Sequence, residues 1–156
     1  MGATYPIALL LHSWIRWAVL ILLVIVVVRA WQGRTGLGAW LPLDERLHVA
    51  LVSVVDLQLL VGIWLYAASP FVHAFFGDLG TNMHVRGLRF FGLEHATIML
   101  AAVAFVHVGR VRSKRAADPL QRHRRVFAWT LTALLFVLSS IPWPYFPVAR
   151  PLFRLE

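Results

Sequence analysis

The sequence predicts an all-α integral membrane protein: a bundle of four spanning helices forming one domain over residues 1–156. Two observations carry the prediction. Of 156 residues, 60% are hydrophobic, with a mean hydropathy of +0.72, whereas a soluble domain is about 45–50% apolar. The excess is gathered in runs at 7–30, 47–68, 90–108 and 126–141, near the roughly 20 residues that a spanning helix needs. Such runs are too long and too uniformly apolar for strands, and in lipid a helix satisfies its own backbone.

The first helix is expected at about 7–30. The residues before it, Met1 to Pro6, carry no basic group, so the run reads as a retained span rather than a cleaved signal. Pro6 stands where a myristoylation signal needs Ser or Thr, so Gly2 is not an acylation site. The second helix is expected at 45–68, introduced by Pro42, Asp44 and Glu45; acidic residues suit the positive end of a helix dipole. Residues 69–88 read as a longer connection. Its 70–76 portion is aromatic and suits the membrane interface, and Gly77, Gly80 and Asn82 interrupt regular structure. The third helix is expected at 89–110 and the fourth at 125–142, its short apolar run extended by Trp143 and the neighbouring prolines. Trp31, Trp40, Trp64, Trp129 and Trp143 fall near the predicted boundaries, as an aromatic belt requires.

Charge sets the expected orientation. The formal net charge is +8, and Arg110, Arg112, Lys114, Arg115, Arg122, Arg124 and Arg125 crowd one connection against a single Asp118. Short basic loops stay in the cytoplasm, which places the 110–125 loop inside and both termini outside. The 29–46 connection agrees; Arg86, Arg89, Arg150 and Arg154 do not. Contact with anionic lipid accounts for the basic loop more simply than nucleic acid. There is no cysteine, which excludes disulfides, thiolate iron–sulfur ligation, CxxCH haem attachment and cysteine zinc sites.

Polar groups inside the apolar runs are the candidate functional residues, because such groups are costly in lipid unless they pair or function. His12 follows Ile7 by five residues and His95 follows Phe90 by five. With both runs descending from the outer face, each imidazole lies about 8 Å into the hydrocarbon. Two imidazoles at one depth on parallel helices suit the opposite faces of one haem iron. The alternative is a pair of interfacial histidines bonded to backbone or water. His48 and His107 mark the inner face and form the candidate second metal pair. Phase opposes it: His107 is twelve residues past His95, about 120° round the helix. Arg16 lies one turn below His12. It is expected to pair with Asp56, or alternatively to grip a haem propionate. Glu94 could accept a proton from a quinol, orient an imidazole on another helix, or pair with Arg89. His73, His84 and His123 read as loop residues exposed to solvent.

The stretches LHSWIRW (11–17), DLQLLVG (56–62), RFFGLEH (89–95), HVGRVRSKRAAD (107–118) and IPWP (141–144) resemble small four-helix bacterial membrane cytochromes b of the b561-like kind. The resemblance runs over nearly the whole chain. It implies b-type haem, electron transfer in the bacterial inner membrane, and roles for His12, His95 and His107 with Arg16, Asp56 and Glu94; His48 lies outside the matching stretches.

The function expected is therefore a haem-b carrier, with one haem and a candidate second. It would pass electrons between the quinone pool and an outer-side redox partner, or anchor a respiratory complex. Its partners would be membrane lipid, a quinone or quinol, and other complex subunits. Any enzymatic role would be as a quinol-linked oxidoreductase component; no hydrolytic or nucleophilic constellation is present. The alternatives are copper or other metal handling, thinly supported by three methionines, and a structural subunit whose polar residues bind helices together.

Overall fold

The computed structural model describes residues 4–145, 147 and 148, and these are helical with short connections. Helix α1 runs Thr4–Gln32 and closes in an irregular turn, Gly33–Leu37. Gly36 makes the closure with φ of 84°, a left-handed value that costs glycine nothing. Helix α2 (Pro42–Ala68) starts with a proline in its first turn, where no backbone donor is lost. Asp44 holds that start: one carboxylate oxygen accepts from Leu41 N at 2.9 Å, the other from Arg29 Nε at 2.9 Å.

The connection at 69–88 is more ordered than its composition predicts. It folds into α3 (Pro70–Gly77), α4 (Leu79–Asn82) and α5 (Arg86–Arg89). Ser69 and Asp78 cap α3 and α4, accepting from Val72 N and Thr81 N, so the breaks fall at the caps. After α5 the chain widens into a π-turn, Phe90–Glu94, in which His95 N donates to Phe90 O. It then continues as α6, His95–Lys114. Helix α7 spans Pro119–Ser140, capped by Asp118 accepting from Gln121 N. It starts six residues before the expected 125. Asp–Pro is a cap followed by a first-turn proline, and this outweighs the polarity of residues 121–125. The expected basic loop is thereby reduced to the few residues between α6 and α7.

Among the described residues, three helical stretches are long and apolar enough to cross a membrane: Thr4–Gly36, Pro42–Ala68 and Arg86–Lys114. Helix α7, expected as a fourth span, is not among those apolar stretches. α1 packs on α2 and α7, and α6 packs on α7 and α2. The core between these helices contains Leu23, Val26, Leu51, Val55, Ala102, Val106, Val126, Ala133 and Ile141. Leu60, Ile63, Leu100 and Leu135 stay exposed on the outside, the inverse of a soluble bundle and suited to hydrocarbon solvent.

Candidate functional site

His12 stands on α1, near its start, and His95 on α6, immediately after the π-turn. Their rings meet across the interior with centroids 6.4 Å apart and planes at 67°. Widened turns of this kind recur at functional sites. Phe90 and Phe91, in the turn itself, flank the His95 ring at 5.8 and 6.5 Å. Tyr66 of α2 donates its hydroxyl to Gly92 O at 2.6 Å, tying the turn to the neighbouring helix.

Each histidine has distinct support. His95 Nδ1 lies 2.9 Å from the main-chain oxygen of Ser140. A carbonyl only accepts, so Nδ1 carries the proton and the lone pair sits on Nε2. Fixing one ring nitrogen by a second group is how proteins aim a metal-ligating imidazole. The Ser140 hydroxyl adds a contact at 3.2 Å. The backbone of His12 is held by Gln58, whose Nε2 donates to His12 O at 3.1 Å. Its ring leans on Gly62: a Cβ there would lie 3.4 Å from His12 Cε1. His12 Nδ1 is buried with no hydrogen-bond partner among the described residues, an orphaned polar group that calls for an explanation.

The remaining candidates fall elsewhere. Arg16 does not meet Asp56, as the sequence led us to expect; its Nη2 reaches Ser13 Oγ at 3.4 Å and its guanidinium lies 5.4 Å from the Trp17 ring. Asp56 pairs with His107, Oδ1 to Nε2 at 3.1 Å. Helix rotation decides this: α2 turns Asp56 toward α6, with which it packs, rather than toward α1. Glu94 accepts from Arg89 Nε at 2.6 Å, a local ion pair. His48 is fully buried, with both ring nitrogens unpartnered among the described residues, whereas His107 is engaged by Asp56, so the two have different neighbours.

His73 and His84 are exposed, although His73 lies within α3 and its Nε2 donates to Ala67 O at 2.7 Å. His123, expected in a solvent-exposed loop, is instead buried within α7 at 2% exposure. The early start of α7 carries it inward. Its ring packs on Trp40 at a centroid distance of 5.0 Å, and Gly33 leaves the space it fills.

The far end of the molecule is tied by a network that the sequence did not reveal. Glu45 accepts from both Arg110 and Arg122, and the Arg122 guanidinium lies 4.2 Å over Trp40. One carboxylate on α2 thus joins α6 to α7. The acidic start of α2 was legible, but its partners are 65 and 77 residues away.

Compared with family models, curated proteins and solved structures, the chain matches none.

Proposed function

We propose that this chain is a membrane-embedded b-type cytochrome, a four-helix bundle holding one haem b with His12 and His95 as axial ligands. The observation that carries the reading is the pairing of these two rings. Two imidazoles bound to one metal atom at about 2 Å bring their centroids roughly 6 Å apart, and the observed separation is 6.4 Å. The protonated Nδ1 of His95 leaves Nε2 as the ligating atom. The orphaned Nδ1 of His12 marks that ring as short of a partner. Arg16, one turn along from His12, would hold a propionate.

The donor set favours haem over a bare ion. Among the described residues there is no cluster of three or more His, Cys, Asp or Glu. A copper or zinc ion asks the protein for more ligands than two imidazoles, while a porphyrin brings four nitrogens of its own and needs only the axial pair. Haem would supply one-electron chemistry there, and its being held by both His12 and His95 would suit electron transfer rather than oxygen binding. The protein's part is to aim the two imidazoles, to exclude water with Phe90 and Phe91, and to keep the site within the apolar helices.

In this reading the chain lies in a bacterial inner membrane with its basic connection in the cytoplasm and both termini outside. It carries electrons between the quinone pool and an outer-side redox protein, or serves as the anchor of a respiratory complex. The resemblance of 11–17, 56–62 and 89–95 to small membrane cytochromes b supports it. The test is the visible spectrum of the full chain expressed with ample haem, oxidised and then reduced. A low-spin spectrum is expected, abolished by His12→Ala and by His95→Ala and retained in His73→Ala. A colourless protein, or a low-spin spectrum surviving both single substitutions, overturns the proposal.

A further inference from the structure

Helix α7 ends inside the protein rather than at its surface. Ser140 is fully buried, Ile141 is 1% exposed and Pro142 is buried. A helix leaves its last four carbonyls without intrahelical donors, and a buried end must find them partners. Two such partners are side chains. Leu138 O accepts from Trp143 Nε1 at 2.9 Å, and Ser140 O accepts from His95 Nδ1 at 2.9 Å.

If α7 continued, each carbonyl would accept from the N–H four residues on. For Leu138 that residue is Pro142, and for Ser140 it is Pro144. Neither has an N–H to give. Pro142 also forces the break, because a residue before proline is pushed out of the helical region. Ile141 is accordingly extended, with φ of −75° and ψ of 130°. Trp143 N then turns back to Ile141 O at 2.8 Å. The two prolines of 141–144 thus occupy the two positions whose donors would compete for carbonyls already in use. The Ser140 oxygen also lies at the negative end of the α7 dipole, which makes it a stronger acceptor than a carbonyl inside the helix.

We propose that Pro142 and Pro144 are positioning residues for His95. They end α7 at Ser140 and withhold the backbone donors that would claim its terminal carbonyls. The Ser140 oxygen is left to hold the Nδ1 proton, and Nε2 keeps the lone pair. That Nε2 binds iron rests on the cytochrome reading above; the design of the α7 end does not.

The test uses the full chain in lipid bilayers without added haem, with isotope-labelled histidine and serine, read by solid-state NMR. The His95 signals are identified by their loss in His95→Ala. In the unmodified chain His95 is expected as the Nδ1–H tautomer alone, with its Nδ1 correlated to the Ser140 carbonyl carbon. Absence of that correlation overturns the inference. In the double variant Pro142→Ala, Pro144→Ala the new amides should exchange slowly, as α7 extends, and the Nε2–H tautomer of His95 should appear. An extended α7 with His95 still wholly Nδ1–H overturns the inference, because another group would then hold the proton. Fast exchange at the new amides overturns it too, because the prolines would then not be what ends the helix. Trp143→Phe keeps both prolines and removes the donor to Leu138 O; His95 should stay Nδ1–H. A tautomer mixture in Trp143→Phe would assign the positioning to the indole and overturn the inference. The expected tautomers in a chain that takes up no haem would support this positioning and sink the cytochrome reading.

Discussion

Gly92 and Phe75 are in direct contact, backbone against ring. A Cβ on Gly92 would sit 2.4 Å from Phe75 Cγ and 2.7 Å from its Cβ. Gly92 lies in the π-turn that precedes His95, and Phe75 is a fully buried residue of α3. The short helix beside the turn thus fixes how close that turn approaches, and with it the aim of His95. Because the clash reaches the root of the Phe75 side chain, rotation of the ring cannot relieve it. Gly92→Ala is expected to destabilise the protein by about 1–3 kcal/mol through overpacking, offset in small part by alanine's better helix propensity. On the proposed cytochrome reading, the low-spin spectrum should weaken with it. Phe75→Leu in the same chain should restore part of both, read by thermal unfolding and absorbance; no recovery would mean that the contact is not what holds the turn.

Gly33 and His123 make a second such contact at the other end. A Cβ on Gly33 would meet Cγ, Nδ1 and Cδ2 of His123 at 2.3 Å. Gly33→Ala should lower thermal stability and, on the proposed cytochrome reading, leave the haem spectrum intact, since the His12–His95 pair is at the opposite end. Adding His123→Ala should cost less than the sum of the two single changes, because the first substitution matters only while the ring is there. Strict additivity of the unfolding free energies would refute the contact.

Glu45 accepts from two arginines on two other helices. Glu45→Gln should lower stability by about 1.5–3 kcal/mol, the range for hydrogen bonds to charged groups. Arg124→Gln, on an exposed position of α7, should stay within about 0.5 kcal/mol. Denaturant unfolding of the two variants side by side checks the contrast, and equal effects would mean that Glu45 joins nothing.

Ser140 presents two groups to His95, but only its main-chain oxygen forces the proton onto Nδ1. Ser140→Ala removes the hydroxyl at 3.2 Å and keeps the carbonyl at 2.9 Å. On the proposed cytochrome reading, the low-spin spectrum should therefore be unchanged in position and extent. A shift to high spin in this variant would show that the hydroxyl, not the backbone, orients the imidazole.

The long helices were legible because hydropathy over about 20 residues depends on composition alone. The start of α2 was marked by Pro42, whereas α7 was expected only from 125, because the polar residues before it hid the cap and first-turn proline at Asp118–Pro119. The order in 69–88 was missed because α3 is held by Ser69 and by the burial of Phe75, and burial is not a property of the segment itself. His12 and His95 stood out as polar residues at equal offsets in apolar runs. Their meeting, and the support of one by Ser140 and the other by Gln58, depends on how α1, α2, α6 and α7 rotate about their axes.

The sequence by itself determined an all-helical chain with apolar spans, the absence of thiol chemistry and a concentration of positive charge at one end, because each is a sum over neighbouring residues. Only the tertiary structure decided that Asp56 takes His107 rather than Arg16, that His123 is buried and that Glu45 joins three helices. Only it brought His12 and His95 to 6.4 Å. A change of one residue in helix phase swings a side chain through about 100°. Packing at glycines such as Gly62, Gly92 and Gly33 selects among those rotations, and that selection turns a pair of histidines into a candidate site.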